Sequence, residues 1–251
     1  MDDAASPALL ASDGRGHAVV DELRERLRAA IISGEIPASS PRTQAELAGY
    51  FNVGRTPLRE ALRMLELEHL IIREPNRRFR AADLSVAEIE ELGILRVTLE
   101  AAAVRMTVPS LSDAEYAVLE GLYAESRRLA LVGEWDDYEL AHHRFHMLLT
   151  RNVGVMHAEQ LTRLWEQAAR YRRAFEHLAD ADGRDETSQR EHRAILDAAE
   201  AGDADESARL LAEHHARAAR EIGARVDPGY AMDRLRMAVE IARGDVAFDL
   251  T

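Results

Sequence analysis

Residues 43–62, TQAELAGYFNVGRTPLREAL, predict two short helices joined by a tight turn. Thr43 and Glu46 have the spacing of a capping box, in which the threonine hydroxyl accepts the Glu46 N–H and the carboxylate reaches back to the threonine N–H. The sequence Asn-Val-Gly at 52–54 is typical of a turn, and Pro57 falls in the first turn of the second helix, where its missing N–H costs little. This pattern restricts the region to folds built on two helices that cross at a short turn.

The second of these helices carries Arg55 and Arg59 four residues apart, so both side chains share one helix face. Arginines at the exposed N-terminal end of a short helix can bond guanine edges or phosphates in the major groove of DNA. Two arginines alone are more often a solvated surface, so this interpretation depends on the segments around them. The predicted DNA-contacting residues of this region are Arg55, Thr56, Arg59, Thr43 and Gln44.

The segments on both sides extend the two helices into a larger DNA-binding fold. An amphipathic stretch at 19–32 precedes them and predicts a third helix. Apolar residues at 70–72 and at Phe79 flank a polar stretch, which predicts a β-hairpin. Arg77 and Arg78 at the tip of this hairpin could contact the sugar-phosphate backbone. Three helices and a basic hairpin together constitute a winged helix-turn-helix.

The net charge of −13 is unevenly distributed along the chain. Residues 17–80 contain 11 arginines and 9 acidic residues, whereas residues 81–251 carry a net −13. An acidic remainder beside a slightly basic DNA-binding region discourages unspecific binding along the duplex. The absence of cysteine excludes disulfides and thiolate metal sites, and no apolar run approaches the roughly 18 residues of a membrane helix. A cytoplasmic protein without membrane contact is therefore expected.

The remainder of the chain shows helical periodicity and no convincing strand. Capping boxes are expected to begin apolar helical runs at Ser85, Ser112 and Ser188. About six helices are expected within 87–226, and the short loops between them favour an antiparallel bundle. An apolar stripe at 232–242 predicts one more helix, packed on the bundle or on a dimer partner.

Six of the ten histidines lie in two clusters, at 142–146 and at 192–215. His142 and His146 are four apart on one helix, a spacing that allows two imidazoles to converge on one ion. His192, expected in the first turn of its helix, and His214, on the following helix, could lie opposite this pair. A single histidine is more often a core or surface residue, but this arrangement favours a metal site. An all-imidazole set suits zinc or nickel better than magnesium or calcium.

The sequence RTPLREAL, followed by a Leu-Glu-rich helix end and by Leu70 and Ile71, closely resembles the GntR family of bacterial transcription factors. Later motifs resemble the FadR subfamily, which carries an all-helical FCD effector domain. The resemblance covers roughly residues 17–225, with Arg78 at the usual wing glycine and Gly54 at a usual serine. The later motifs are Arg96-x-x-Leu99-Glu100, Phe145-His146, Asn152, Glu191-His192, Gly202-Asp203 and His214.

The resemblance implies a mainly α fold, in which an N-terminal winged helix-turn-helix is followed by an all-helical antiparallel bundle. The expected organisation is a disordered tail at 1–16, a winged helix-turn-helix domain at 17–80, a linker at 81–86, a helical effector-binding and dimerisation domain at 87–226 and a helical C-terminal extension at 227–251. Many FCD domains hold a divalent metal with an aspartate and three histidines, and His142 stands at the usual aspartate position. His142, His146, His192 and His214 are therefore the candidate ligands.

Arg96 is the candidate effector-binding residue, because the matching arginine of the family lies near the effector pocket. From the sequence alone, it is equally compatible with a surface position or with an ion pair to Glu100. Tyr171 and the arginines at 170, 172 and 173 are further candidates for anion contacts. His143 and His215 are expected to be outer-shell or solvent-facing.

These expectations combine into a homodimeric, ligand-responsive transcription factor, with repression favoured over activation. A small carboxylate, bound by the metal and by Arg96, would change its affinity for a palindromic operator. One alternative is a metal-dependent hydrolase that uses the histidines to activate water, although no carboxylate stands in a motif such as His-Glu-x-x-His. Another is a structural dimer in which the histidines merely fill the core.

Overall fold

The computed structural model describes residues 8–68, 70–83, 85–176 and 184–244. The chain divides into two compact units, Met1–Asp83 and Leu84–Thr251. This division falls inside the linker expected at 81–86. Among the described residues, no helix has both the length and the apolar character that crossing a membrane requires.

The described part of the first unit contains three helices and a three-stranded antiparallel sheet with strand order β1-β3-β2. In this sheet Thr43 pairs with Arg78, and Glu74 pairs with the same arginine from the other side. The winged helix-turn-helix expected from the sequence is therefore present. Its elements are α1 (Ala8–Ile32), β1 (Arg42–Thr43), α2 (Gln44–Phe51), α3 (Arg55–Leu67), β2 (Ile71–Glu74) and β3 (Arg78–Ala81).

Helix α1 begins earlier than the sequence analysis expected. It starts at Ala8, so the expected disordered tail at 1–16 is wrong for residues 8–16, and residues 1–7 lie outside the described part of the chain. Alanine and leucine at 8–11 are strong helix formers, and they add turns to the amphipathic helix that follows.

The two central helices have the local signals that the sequence predicts. The Thr43 hydroxyl accepts the Glu46 N–H at 3.2 Å, and the Glu46 carboxylate accepts the Thr43 N–H at 2.6 Å, which completes the capping box. Asn52 ends α2 in the left-handed conformation, with φ of 52°. The buried core of this unit is formed by side chains of α1, α2, α3 and β3, among them Leu23, Leu27, Leu47, Leu58, Leu62, Leu65 and Phe79.

The hairpin closes without a glycine. Asn76 and Arg77 take the left-handed conformation, with φ of 63° and 58°, which asparagine adopts more readily than arginine. Arg78 is extended, with φ of −89° and ψ of 152°. Arginine at the position where the family usually has glycine is therefore compatible with this wing.

The described part of the second unit is all-helical, as expected, with six helices before residue 227 and one after it. The chain enters it at α4, whose first turn is capped by Ser85, and α5 is capped by a complete box between Ser112 and Glu115. The helices are α4 (Val86–Thr107), α5 (Asp113–Val132), α6 (Trp135–Leu149), α7 (Val155–Glu176), α8 (Arg184–Glu200), α9 (Ala204–Val226) and α10 (Asp233–Arg243).

The capping box expected at Ser188 is wrong. Helix α8 already begins at Arg184, so Ser188 lies inside it and His192 lies in its third turn instead of its first. Acidic residues near the start, such as Glu186, are favoured by the helix dipole. Glu191 is therefore free of a capping role.

Helix α10 packs on α4 and α9 of its own chain. Leu235 is fully buried, and a Cβ atom added to Gly93 of α4 would lie 3.1 Å from Leu235 Cδ1, so this glycine permits the close approach of the two helices. The buried Glu90 carboxylate accepts hydrogen bonds from the Tyr230 hydroxyl at 2.8 Å and from the Arg234 side chain at 2.7 Å. The extra helix is thus tied to the bundle by both apolar and polar contacts.

Replacing Glu90 by alanine is expected to loosen α10, because it leaves the hydroxyl of Tyr230 and the guanidinium of Arg234 without their acceptor. A lost buried acceptor costs about 1–3 kcal/mol of unfolding free energy. Faster amide hydrogen exchange in residues 233–243 would measure the local effect. Glu125→Ala is the matched control, since Glu125 is an exposed glutamate on α5; equal exchange in both variants would contradict this role for Glu90.

Candidate DNA-binding surface and metal centre

The N-terminal end of α3 presents the predicted DNA-contacting residues to solvent. Arg55, Thr56 and Arg59 are exposed, and Gly54 caps the helix with extended backbone and no side chain. Gln44 is half-buried at the start of α2. The hydroxyl and the backbone N–H of Thr43 are both engaged by Glu46 in the capping box.

The wing adds two exposed arginines, Arg77 and Arg78, beside this surface. Because Arg78 pairs with Thr43, the tip end of the wing lies next to the first turn of α2. Helix N-termini and arginines both favour phosphate oxygens. Arg42, the first residue of β1, was not among the predicted DNA-contacting residues. It lies in the pairing of β1 with β3, opposite Phe79.

The double variant Arg77→Ala, Arg78→Ala is expected to weaken binding to all DNA sequences by a similar factor. Loss of two phosphate contacts should flatten the slope of log affinity against log salt by about 2. Arg73→Ala is the matched control, because this arginine of the same hairpin is paired with Glu66 at 2.9 Å. A changed sequence preference at constant salt slope would instead assign the two arginines to base contacts.

In the second unit, three of the predicted metal ligands point their Nε2 atoms at one another. The distances are 2.9 Å between His146 and His142, 3.0 Å between His142 and His192, and 3.1 Å between His146 and His192. All three side chains are buried. An imidazole nitrogen carries a single proton or lone pair in the ring plane, so three mutual contacts cannot all be hydrogen bonds. A shared cation would satisfy all three nitrogens at once.

His214 completes the group, and its orientation is fixed by a carboxylate. Ligand atoms of His142, His146, His192 and His214 all lie within 4.8 Å of one another. The Nδ1 atom of His214 is 2.8 Å from the Glu191 carboxylate, which leaves Nε2 as its ligand atom. Glu191 is held in turn by Arg217 at 2.5 Å. A carboxylate behind a ligand histidine is the usual support of a metal site.

The electrostatics of the cluster keep its imidazoles neutral at pH 7. Burial, together with the neighbouring histidines, lowers the pKa of His142, His146 and His192 well below the usual value. Burial opposes ionisation of Glu191, but its hydrogen bonds from His214 and Arg217 hold the pKa of this carboxyl at about 2. Neutral imidazoles offer the lone pairs that metal binding requires.

A buried carboxylate that the sequence analysis did not propose as a site residue lies beside the cluster. Glu100 accepts a hydrogen bond from Arg96 Nε at 2.7 Å and contacts His215 Nε2 at 2.7 Å. Its carboxylate is also 3.8 Å from His146 Nδ1. His215 was expected to be outer-shell or solvent-facing; it is buried, so the solvent-facing alternative is wrong for it, whereas its contact with Glu100 fits the outer-shell one. The sequence signal for Glu100 was its position four residues after Arg96 on α4.

Arg96 also lines a small cavity of about 50 Å³ between α4, α7 and α9. Its guanidinium lies over the Trp165 ring, 5.0 Å from the ring centroid, and that of Arg172 lies over the same ring at 4.2 Å. Tyr171 and His215 also line the cavity. Of the other candidates for anion contacts, Arg170 is paired with Glu88, and the side chain of Arg173 lies outside the described part of the chain. The apolar lining residues are Ile89, Leu92, Ala168, Ala218, Ala219 and Ile222.

Comparisons with known proteins agree with this architecture. The description "Bacterial regulatory proteins, gntR family" matches residues 19–80, and "FCD domain" matches residues 91–217. The HTH-type transcriptional regulator YdhC of Bacillus subtilis is 27% identical over 68% of this chain and 76% of its own length. The HTH-type transcriptional repressor RspR of Escherichia coli is 26% identical over 75% of this chain and 82% of its own length.

A solved structure extends the comparison to the fold. E. coli McbR/YncC superposes with a TM-score of 0.72 and 18% identity, covering 83% of this chain and 99% of that chain. The matched family and these relatives are transcriptional regulators and not enzymes, so the hydrolase alternative is wrong. The chain belongs to the gntR family of bacterial regulatory proteins, in the FadR-like group that joins a winged helix-turn-helix to an FCD domain.

Proposed function

We propose that this protein is a cytoplasmic homodimeric repressor that binds a palindromic operator and responds to a small carboxylate. The four histidines would hold one divalent ion, zinc or nickel, and the ion and Arg96 would bind the effector carboxylate. Two α3 helices, one from each protomer, would occupy the two half-sites of the operator. Repression is favoured because relatives such as RspR are named repressors.

The observation that carries the metal site is the convergence of three buried Nε2 atoms at 2.9–3.1 Å. Tetrahedral zinc with Zn–N distances of about 2.0–2.1 Å separates its ligand atoms by about 3.4 Å. The observed spacing is therefore close to that of a ligand set. Zinc and nickel both accept imidazole nitrogen readily, whereas magnesium and calcium prefer oxygen.

Charges around the cluster explain why an ion would matter for an anionic effector. Arg96 is paired with Glu100 at 2.7 Å, and Arg172 is paired with Glu139 at 2.8 Å. Each arginine charge therefore has a compensating carboxylate. A bound divalent ion would supply positive charge beyond these pairs, which favours a carboxylate ligand.

The proposal is tested with protein purified without chelators. Metal analysis is expected to find close to one zinc or nickel per chain. Genomic fragments selected by the protein are expected to share an inverted repeat whose half-sites are about one helical turn apart, or a multiple of it. An asymmetric single site would contradict the homodimeric arrangement. If the protein contained no metal but an effector still released it from DNA, the histidines would have to fill the core or bond the ligand directly.

A further inference from the structure

We propose that the cavity beside the histidine cluster selects a short aliphatic monocarboxylate, with the carboxylate at Arg96 and the hydrocarbon body against the apolar wall. This inference rests on the proposed function and narrows its effector to one chemical class. The cavity, its wall and its charged end each contribute to the choice.

The wall of the cavity is mainly hydrocarbon. Isoleucine, leucine and alanine side chains from α4, α7 and α9 line it, among them Ile89, Leu92 and Ala218. No acidic or amide side chain is among the described residues of the lining. A ligand body placed here gives up its contacts with water and gains contacts with carbon atoms, which favours an apolar body.

The polar atoms of the lining are largely engaged already. The Tyr171 hydroxyl accepts from Arg170 at 3.0 Å, and His215 Nε2 contacts Glu100. The buried Nδ1 atom of His215 has no partner and could accept one hydroxyl. A sugar acid carries several hydroxyls, and most of them would lose their hydrogen bonds to water without replacement.

The charged end suits one carboxylate. Arg96 donates through Nε to Glu100, and one of its terminal nitrogens lies 3.4 Å from His215. A guanidinium has five N–H donors, so Arg96 can donate to Glu100 and to a ligand together. The other guanidinium of the lining, that of Arg172, already donates to both oxygens of Glu139, so a second carboxylate on the ligand would compete with that pair or enter the apolar wall, where an unpaired charge is strongly disfavoured. A monocarboxylate is therefore favoured over dicarboxylates and tricarboxylates.

The volume of the cavity limits how much of the ligand is buried. A cavity of about 50 Å³ has room for a few water molecules, since each needs roughly 10–15 Å³. Space for about four waters corresponds to a buried hydrocarbon body of about four carbons, and because the cavity is partly open to solvent, further methylenes gain no burial. Small side chains at Ala168, Ala218 and Ala219 make the room, and leucine at any of them would fill it.

The test measures binding of linear acids, from acetate to octanoate, to zinc-loaded full-length protein by calorimetry. Quenching of Trp165, which is in contact with both Arg96 and Arg172, gives a second readout in a Trp135→Phe background. Each methylene from acetate to pentanoate is expected to raise the affinity about fourfold, from about 0.8 kcal/mol per buried methylene. Octanoate is expected to bind no more tightly than pentanoate, because its extra methylenes stay in water. Pentan-1-ol, gluconate and citrate are each expected to bind at least about tenfold more weakly than pentanoate.

Two variants test the wall itself. Ala218→Leu is expected to reduce pentanoate affinity at least about tenfold with unchanged zinc content, because it fills the cavity. Ala224→Leu is the matched control, since Ala224 is exposed on the same helix. Ile222→Ala enlarges the cavity and is expected to move the preferred acid to a longer chain. If Ala218→Leu fails to fold, the shift in preferred chain length of Ile222→Ala tests the apolar wall instead.

Failure of this inference is distinguishable from failure of the proposed function. Zinc content and operator binding are measured on the same protein before any acid is added. If the protein binds zinc and operator but binds gluconate or citrate more tightly than pentanoate, the proposed ligand class is wrong and the proposed function stands. The same conclusion follows if affinity is independent of chain length. If the protein binds neither zinc nor operator, the proposed function itself is wrong.

Discussion

The double variant Arg55→Ala, Arg59→Ala is expected to lose specific operator binding while the protein remains folded. Each arginine at the exposed start of α3 should contribute about 1–3 kcal/mol of specific affinity, so the pair should cost at least about 30-fold. Both side chains are exposed, and the helix is held from the other face by Leu58, Leu62 and Leu65. The loss should therefore appear in gel-shift titrations at fixed salt, with an unchanged melting temperature.

The matched control for this pair is Arg127→Ala, Arg128→Ala. These two arginines are exposed on α5 of the second unit, so the control removes the same charge far along the chain from the helix-turn-helix. If both double variants weakened the operator complex equally, the effect would be one of net charge. If the Arg55, Arg59 variant bound the operator as well as the unchanged protein, base recognition would have to be assigned elsewhere.

Local sequence signals were sufficient for the DNA-binding unit. The capping box at Thr43, the turn at Asn52 and the hairpin around Arg77 each depend on residues within a few positions of one another. Such short-range patterns determine backbone geometry directly. The start of α1 was missed because residues 8–16 carry no amphipathic pattern, even though the alanines and leucines among them favour a helix.

Longer-range contacts explain what the sequence analysis missed in the second unit. The pattern Ser188-x-x-Glu191 matches a capping box, yet the Glu191 carboxylate contacts His214 and Arg217 on α9. The hydrogen bond between Glu100 and His215 joins residues 115 positions apart, and no local sequence pattern predicts it. Helical spacing identifies which residues share a face. It does not identify which side chain of another helix will meet them.

His146→Ala is expected to remove the bound ion and to lower the thermal stability of the second unit. His146 is fully buried, and its Nε2 atom contacts both His142 and His192, so its loss opens the ligand set. An ion present at about 1,000 times its Kd stabilises the folded state by about 4 kcal/mol. At about 2–4 °C per kcal/mol for a chain of this size, the melting temperature should fall by roughly 10 °C.

A chelator separates loss of the ion from loss of packing around the missing ring. EDTA should lower the melting temperature of the unchanged protein by a similar amount and should have little further effect on His146→Ala. His157→Ala is the matched control, because His157 lies outside the cluster and bonds the Leu99 carbonyl at 3.0 Å. This control should keep its metal and its response to EDTA. If His146→Ala retained the ion, or if EDTA destabilised both proteins equally, the convergence of the histidines would be a packing feature and not a metal site.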